Sequence, residues 1–295
     1  VMFLDLNMPV MDGFQTMQAI KDEDLPTMVI VVSGDVQPEA RQRMMALGAL
    51  EFIRKPTDNS KLVEILSQFG LYSGNSSTAN RAKNVKSDAK NSQSEKLDAY
   101  REMANVAMGQ AGENLAFLLG EFIDLPIPNV NLISHSELHM ALADIQRNES
   151  VSAVSQGFSS AGINGEALVI FNDSNFSNMV KLLKYTDNNS SSSLELEALM
   201  DVSNILIGAC LRGLSEQLHA VFSPNHPIIL GRHCELDEIL KNTAQKTKDM
   251  LAIEIAYSIK SQEINFDLLL LFPDNVIDLV FEDSFYINKH SFPFW

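Results

Sequence analysis

Two cysteines in 295 residues, Cys210 and Cys234, are too few for a disulfide framework, and a cytoplasmic setting is the simplest expectation. Positive charge is also scarce. The 22 Lys and Arg stand against 38 Asp and Glu, and the net charge of −16 argues against nucleic acid, whose phosphates need a basic surface. Such a chain suits partners with basic faces instead. No apolar run approaches the ~20 residues of a membrane span. Stretches such as Leu268–Phe272 are far shorter, no signal-peptide pattern opens the sequence, and no membrane contact is expected. A glycine-rich loop able to cradle a free phosphate is missing too. What is present is 45% hydrophobic residues over a length that accommodates about two domains, each with its own core.

The first segment alternates short β-branched runs with helical patterns. Val1–Asp5 is an apolar run ending in an acid, Met28–Val32 ends at Ser33-Gly34, and Phe52–Arg54 ends at Lys55-Pro56. Helical spacing fills Gly13–Lys21, Pro38–Leu47 and Ser60–Phe69, with Asp12 able to cap the first helix. This order predicts an α/β segment with a parallel sheet, in which functional groups gather at the carboxyl ends of the strands. Asp5, Ser33 and Lys55 all fall there. A plain buried strand explains the apolar runs but not three polar groups at three strand ends.

These residues resemble the second half of a two-component receiver domain, a doubly wound parallel sheet of the CheY type. The resemblance implies that Asp5, in Leu4-Asp5-Leu6-Asn7-Met8-Pro9-Val10-Met11-Asp12-Gly13, accepts a phosphoryl group. It also implies that Ser33 bonds the phosphoryl oxygen, that Lys55 bridges to it, that Phe52 occupies the aromatic switch position, and that the Lys55-Pro56 bond is cis. A receiver of this family holds Mg²⁺ through an acidic pair on its first strand, whereas this sequence starts in the third. The expectation is therefore a truncated receiver over residues 1–72, with no metal site in this chain and no phosphoryl transfer by that segment alone.

Residues 73–96 are rich in Ser, Asn, Ala and Lys and are expected to form a flexible linker. A tether of that length reaches roughly 27 Å on average, enough for its flanking domains to touch. Beyond it the chain repeats itself. Glu102, Asn105 and Pro128 share their spacing with Asp201, Asn204 and Pro227: acid, two residues, Asn, 22 residues, Pro. Ala167–Asp173 is likewise echoed by Leu268–Asp274. Half-domains of about 97–185 and 194–295 follow, separated by a surface loop at Thr186–Ser193. Each acid/Asn pair opens a helical pattern, Leu97–Leu119 and Leu194–Leu214, and positions three apart share a helix face. One such pair alone is an ordinary solvated face. Its repetition at a fixed distance from a proline is not.

Residues 97–295 resemble the CheC/CheX/FliY family of response-regulator phosphatases. The first copy, Asp98-x₃-Glu102-x₂-Asn105-x₂₂-Pro128, fits the family pattern, and Asn105–Ala111 looks like its N-I-G-x-G-x-A run. The second, Glu197-x₃-Asp201-x₂-Asn204-x₂₂-Pro227, departs at its first position and has Asp for Glu. Two copies point to a CheC-like α/β domain with a pseudo-twofold repeat. The resemblance implies hydrolysis of the aspartyl phosphate of a CheY-type response regulator, with Mg²⁺ supplied by that phosphorylated receiver and no cofactor on the phosphatase domain. Asn105 and Asn204 would orient the attacking water, and Glu102 and Asp201 would dock on the receiver's lysine. Pro128 and Pro227 are expected to fix the chain where it meets a strand. Other chemotaxis or flagellar-motor proteins are further candidate partners. Two rivals remain open, a non-catalytic adaptor for a phosphorylated receiver and an output domain with degenerate sites. His135 and His139 have metal-compatible spacing without a third ligand, and Cys234 beside His233 has no orienting group; both are expected to be structural.

Overall fold

A computed structural model describes residues 1–71, 89–138, 140, 150–160, 163–185, 191–218, 220–232 and 249–273. The fold is mixed α/β. Its first part runs β1 (Met2–Leu4), α1 (Gly13–Asp22), β2 (Val29–Ser33), α2 (Pro38–Leu47), β3 (Glu51–Arg54) and α3 (Asn59–Gln68). The three strands pair in parallel in chain order. Asp12 caps α1 as a capping box, its carboxylate accepting from the Gln15 amide at 2.7 Å while Gln15 reaches back to the Asp12 amide at 3.1 Å. Leu4, Val29, Val31, Met17 and Met44 bury one face of the sheet against α1 and α2, and Ile30, Ile53 and Ile65 bury the other against α3. Both faces are thus covered, the condition for continuous apolar strands. The Lys55-Pro56 bond is cis.

The second part comprises α4 (Ala89–Leu119), β4 (Asn129–Ser134), β5 (Val151–Ser160), β6 (Ile163–Asn172), α5 (Phe176–Leu182), α6 (Ser191–Leu218), β7 (Ser223–Pro224), β8 (Ile228–Arg232), β9 (Asp249–Ile259) and β10 (Ile264–Pro273). Its sheet is antiparallel, in the order β4-β9-β10-β6-β5-β7, with β8 also on β5. The repeat is visible in the register. Leu168 pairs directly with Leu269, its counterpart in the other half, so a pseudo-twofold axis passes between β6 and β10. The strand that follows each repeat proline crosses over, β4 pairing with β9 and β8 with β5.

The run Leu268–Leu271 is apolar throughout because the sheet centre is buried on both sides. Leu268 and Leu270 face a core shared with α4 and α6, while Leu269 and Leu271 join Leu138, Leu168 and Ile170 on the reverse. Pro128 and Pro227 each stand immediately before a strand, β4 and β8. Two boundaries shift. Helix α4 begins at Ala89, inside the stretch expected as linker, and α6 begins at Ser191, inside the expected surface loop. Ala89, Lys90, Gln93, Glu95 and Lys96 are strong helix formers that the low hydrophobicity of the stretch hid, whereas Ser191, Ser192 and Ser193 at the start of α6 are weak ones that gave no signal. The rest of the expected linker, residues 73–88, lies outside the described residues.

Candidate functional site

Parallel pairing brings the three strand ends to one edge. Asp5 follows β1, Ser33 closes β2, and Lys55 follows β3, with the Lys55 amide donating to the Ser33 carbonyl at 2.9 Å. The Asp5 carboxylate accepts from Lys55 Nζ at 2.7 Å through one oxygen and from the Asn7 amide at 3.3 Å through the other. Ser33 is fully buried, and its hydroxyl accepts from the Asp35 amide at 3.1 Å. Phe52 is half-buried against the α1–α2 core.

Helix α4 lies across this edge. Lys55 Nζ is also 2.8 Å from Glu102 Oε1, so one ammonium bridges Asp5 and Glu102. Burial opposes the charge on Lys55, but the two carboxylates outweigh it and raise its pKa above the ordinary lysine value. One turn along, Asn105 is buried, and its Oδ1 accepts from Asn7 Nδ2 at 3.0 Å. Gly109, a further turn on, meets the Gly34 backbone so closely that any side chain there would strike the Gly34 carbonyl. Gln37 completes the contact. Its amide donates to the Ile123 carbonyl at 2.7 Å and accepts from the Ile123 amide at 2.9 Å, as a strand neighbour would. Phe122 packs on the α1–α2 core beneath Arg43, whose guanidinium lies 5.6 Å from the ring. Beside Gln37, burial first, and Glu113 of α4 in addition, push the Asp35 carboxyl up to about 6, against the opposing hydrogen bonds from Gln37.

The second pair has different surroundings. Asp201 and Asn204 are exposed on α6. The Tyr185 hydroxyl donates to Asp201 Oδ2 at 2.5 Å, and burial together with Asp201 and Glu197 pushes the phenol pKa up. Gly208 has nothing within reach of a Cβ. Buried Ser203 keeps its hydroxyl without a partner.

The four sequence candidates Asp5, Lys55, Glu102 and Asn105 therefore converge, whereas Asp201 and Asn204 stand apart from them. Sequence reading missed Asn7, Gln37, Tyr185 and Ile123. A signal existed only for Asn7, a carboxamide two residues after the expected phosphoacceptor. Among the described residues no cluster of three or more His, Cys, Asp or Glu could hold a metal. His139, His233 and Cys234 lie outside the described residues. Cys210 is buried, its thiol pushed up to about 12 by burial, and it contacts the Tyr257 hydroxyl at 3.5 Å. Among the described residues no helix is long and apolar enough to cross a membrane.

Residues 1–67 match the family model of the response regulator receiver domain. The match contains Asp5, Ser33 and Lys55. A curated relative, protein-glutamate methylesterase/protein-glutamine glutaminase 3 of Geobacter sulfurreducens, is 50% identical over 54 residues, which are 18% of this chain and 14% of that protein. The chain thus spans about a seventh of that relative's length. Among solved structures, FliY of Thermotoga maritima superposes with a TM-score of 0.47 at 17% identity, covering 65% of this chain and 96% of that one. The chemotaxis protein CheX of Desulfovibrio desulfuricans gives 0.41 at 19% identity, covering 58% and 99%.

Proposed function

We propose that this protein is a chemotaxis-type phosphatase that hydrolyses the aspartyl phosphate of a response-regulator receiver. The observation that supports this reading best is the bridge from Asp5 through Lys55 to Glu102, with Asn105 buried one turn away. An acyl phosphate already has a good leaving group in the carboxylate, so the partner has only to hold water in line with the breaking bond. A carboxamide does this with one acceptor oxygen and one NH₂, without a pKa near neutrality. Asn105 supplies that group and Glu102 anchors the helix through the receiver lysine. Mg²⁺ belongs to the phosphorylated receiver in this reading.

The partners are phosphorylated CheY-type receivers, with other chemotaxis or flagellar-motor proteins as further candidates. A second reading has a specific observation in its favour, because the Gly34–Gly109 and Gln37–Ile123 contacts engage the receiver segment without any reacting group. The same contact would serve a non-catalytic adaptor. Phosphate release from a phosphorylated, stand-alone CheY-type receiver separates the two readings. A phosphatase accelerates that release, and Asn105→Ala with Asn204→Ala abolishes the acceleration. An adaptor binds with the same affinity in wild type and double variant and accelerates nothing.

A further inference from the structure

We propose that the receiver edge of this chain fills the first acid/asparagine site as a pseudosubstrate, keeping a foreign phosphorylated receiver out until the edge leaves. The inference rests on the phosphatase reading for what is kept out, and adds how the first site is regulated. Both groups that the reading needs are already taken. Lys55 Nζ lies 2.8 Å from Glu102 Oε1, the partner that a foreign receiver's lysine would seek. Asn7 Nδ2 donates at 3.0 Å to Asn105 Oδ1, the acceptor that would hold the water. Asn105 keeps only 5% exposure, too little for a phosphoryl group to reach it. Its counterpart Asn204 on α6 is exposed, so the receiver edge, and not the position on the helix, closes the first site.

Three further contacts hold the edge in place without using either group. Gly34 and Gly109 approach backbone to backbone, Gln37 forms a buried two-way hydrogen bond with Ile123, and Phe122 packs on the receiver core. A foreign receiver therefore competes with a segment of the same chain, whose effective concentration is on the order of millimolar before these contacts are counted. The closed arrangement uses only side chains and backbone of this chain. When only a fraction of the molecules is open, the apparent affinity for the foreign receiver falls by that fraction. The maximal rate, reached once substrate itself holds the site open, does not change.

The test follows phosphate release from a stand-alone, phosphorylated CheY-type receiver, with the full chain carrying Asn204→Ala so that the first site alone reports. Gln37→Ala loosens the edge without altering Lys55, Asn7, Glu102 or Asn105. It should lower KM roughly tenfold, the scale of a lost pair of buried hydrogen bonds, with kcat unchanged. Lys55→Ala removes the cation between Asp5 and Glu102 and should lower KM as well. Arg41→Ala, whose guanidinium pairs with Glu51 at 3.5 Å on the surface of the receiver segment, should leave KM where it was. Binding of the same stand-alone receiver, carrying beryllium trifluoride in place of the phosphoryl group, is measured in parallel and should tighten by the same factor as KM falls. If Gln37→Ala and Lys55→Ala both leave KM and Kd unmoved in a protein that releases phosphate through Asn105, the pseudosubstrate assignment is overturned and the phosphatase reading stands. An Arg41→Ala effect as large as that of Gln37→Ala overturns it too. Tighter binding in both edge variants with no release from any protein keeps the occlusion and overturns the phosphatase reading instead. Neither binding nor release in any variant overturns both.

Discussion

Helices α4 and α6 each carry an acid, an asparagine and a glycine at the same spacing, yet meet different neighbours. Along α4, Glu102 holds Lys55, Asn105 is buried against Asn7, and Gly109 abuts Gly34. Along α6, Asp201 is held by Tyr185 of the preceding half-domain, Asn204 is exposed, and Gly208 faces open space. Eight residues after each asparagine stand opposite charges, Glu113 beside Asp35 on α4 and Arg212 on α6. The motif thus provides a helix face. What that face does depends on what the rest of the chain packs against it.

The sharpest way to break the comparison is to substitute the two glycines in turn. Gly109→Leu drives a side chain into a backbone carbonyl that cannot swing aside, and is expected to abolish docking of the receiver on α4. Gly208→Leu should leave the protein unchanged, because nothing lies within reach. Limited proteolysis between the two parts, compared across both variants, checks this. An equal response of both variants would erase the distinction between the helices.

A smaller effect is expected from Asp35. Its pKa rises on burial from 3.8 to about 6, so the folded state binds the proton more tightly than the unfolded chain. The sign follows from linkage: stability is greatest below the unfolded pKa and falls as pH rises through the window from about 4 to about 6. The full shift corresponds to at most about 3 kcal/mol. Asp35→Asn keeps an acceptor for the Gln37 amide and removes the charge. Its denaturant midpoint should exceed wild type at pH 7 and lose this part of the pH dependence, whereas a midpoint lowered equally at pH 5 and pH 7 would assign Asp35 a purely hydrogen-bonding role.

The smallest expected change is at Tyr185. Removing its hydroxyl frees Asp201 at a solvated position and should alter stability by less than about 1 kcal/mol. Its consequence is functional. Tyr185→Phe is expected to increase Asn204-dependent phosphate release from a foreign receiver, since Asp201 then becomes available to a lysine. No increase would point to the missing methylene of Asp201, rather than its hydrogen bond, as the reason the second helix is unengaged.

Local features were legible in the residues. The capping box at Asp12, the polar groups ending three strands, and the proline before each of β4 and β8 each depend on a few neighbouring positions. The repeat was legible because both halves keep the acid/Asn spacing. Contacts that join distant segments were not, since nothing in the vicinity of Gln37 announces Ile123, 86 residues on. Nor did alternation reveal which strands exchange between halves, because the central strands are buried on both faces and read as continuous apolar runs. Asp201 and Glu102 looked like weaker and stronger versions of one site. Tyr185 gives Asp201 a partner of another kind, and Tyr185 lies in the half-domain before it.

The most direct test of the account is zero-length carbodiimide cross-linking of the intact protein, read by peptide mass spectrometry. Carbodiimide joins an amine to a carboxylate only where they touch, and the exposed Lys260 to Asp124 pair, at 2.6 Å, serves as the internal control. The account predicts an isopeptide bond between Lys55 and Glu102 and none between Lys55 and Asp201. A Lys260 to Asp124 link without one from Lys55 to Glu102 would contradict it.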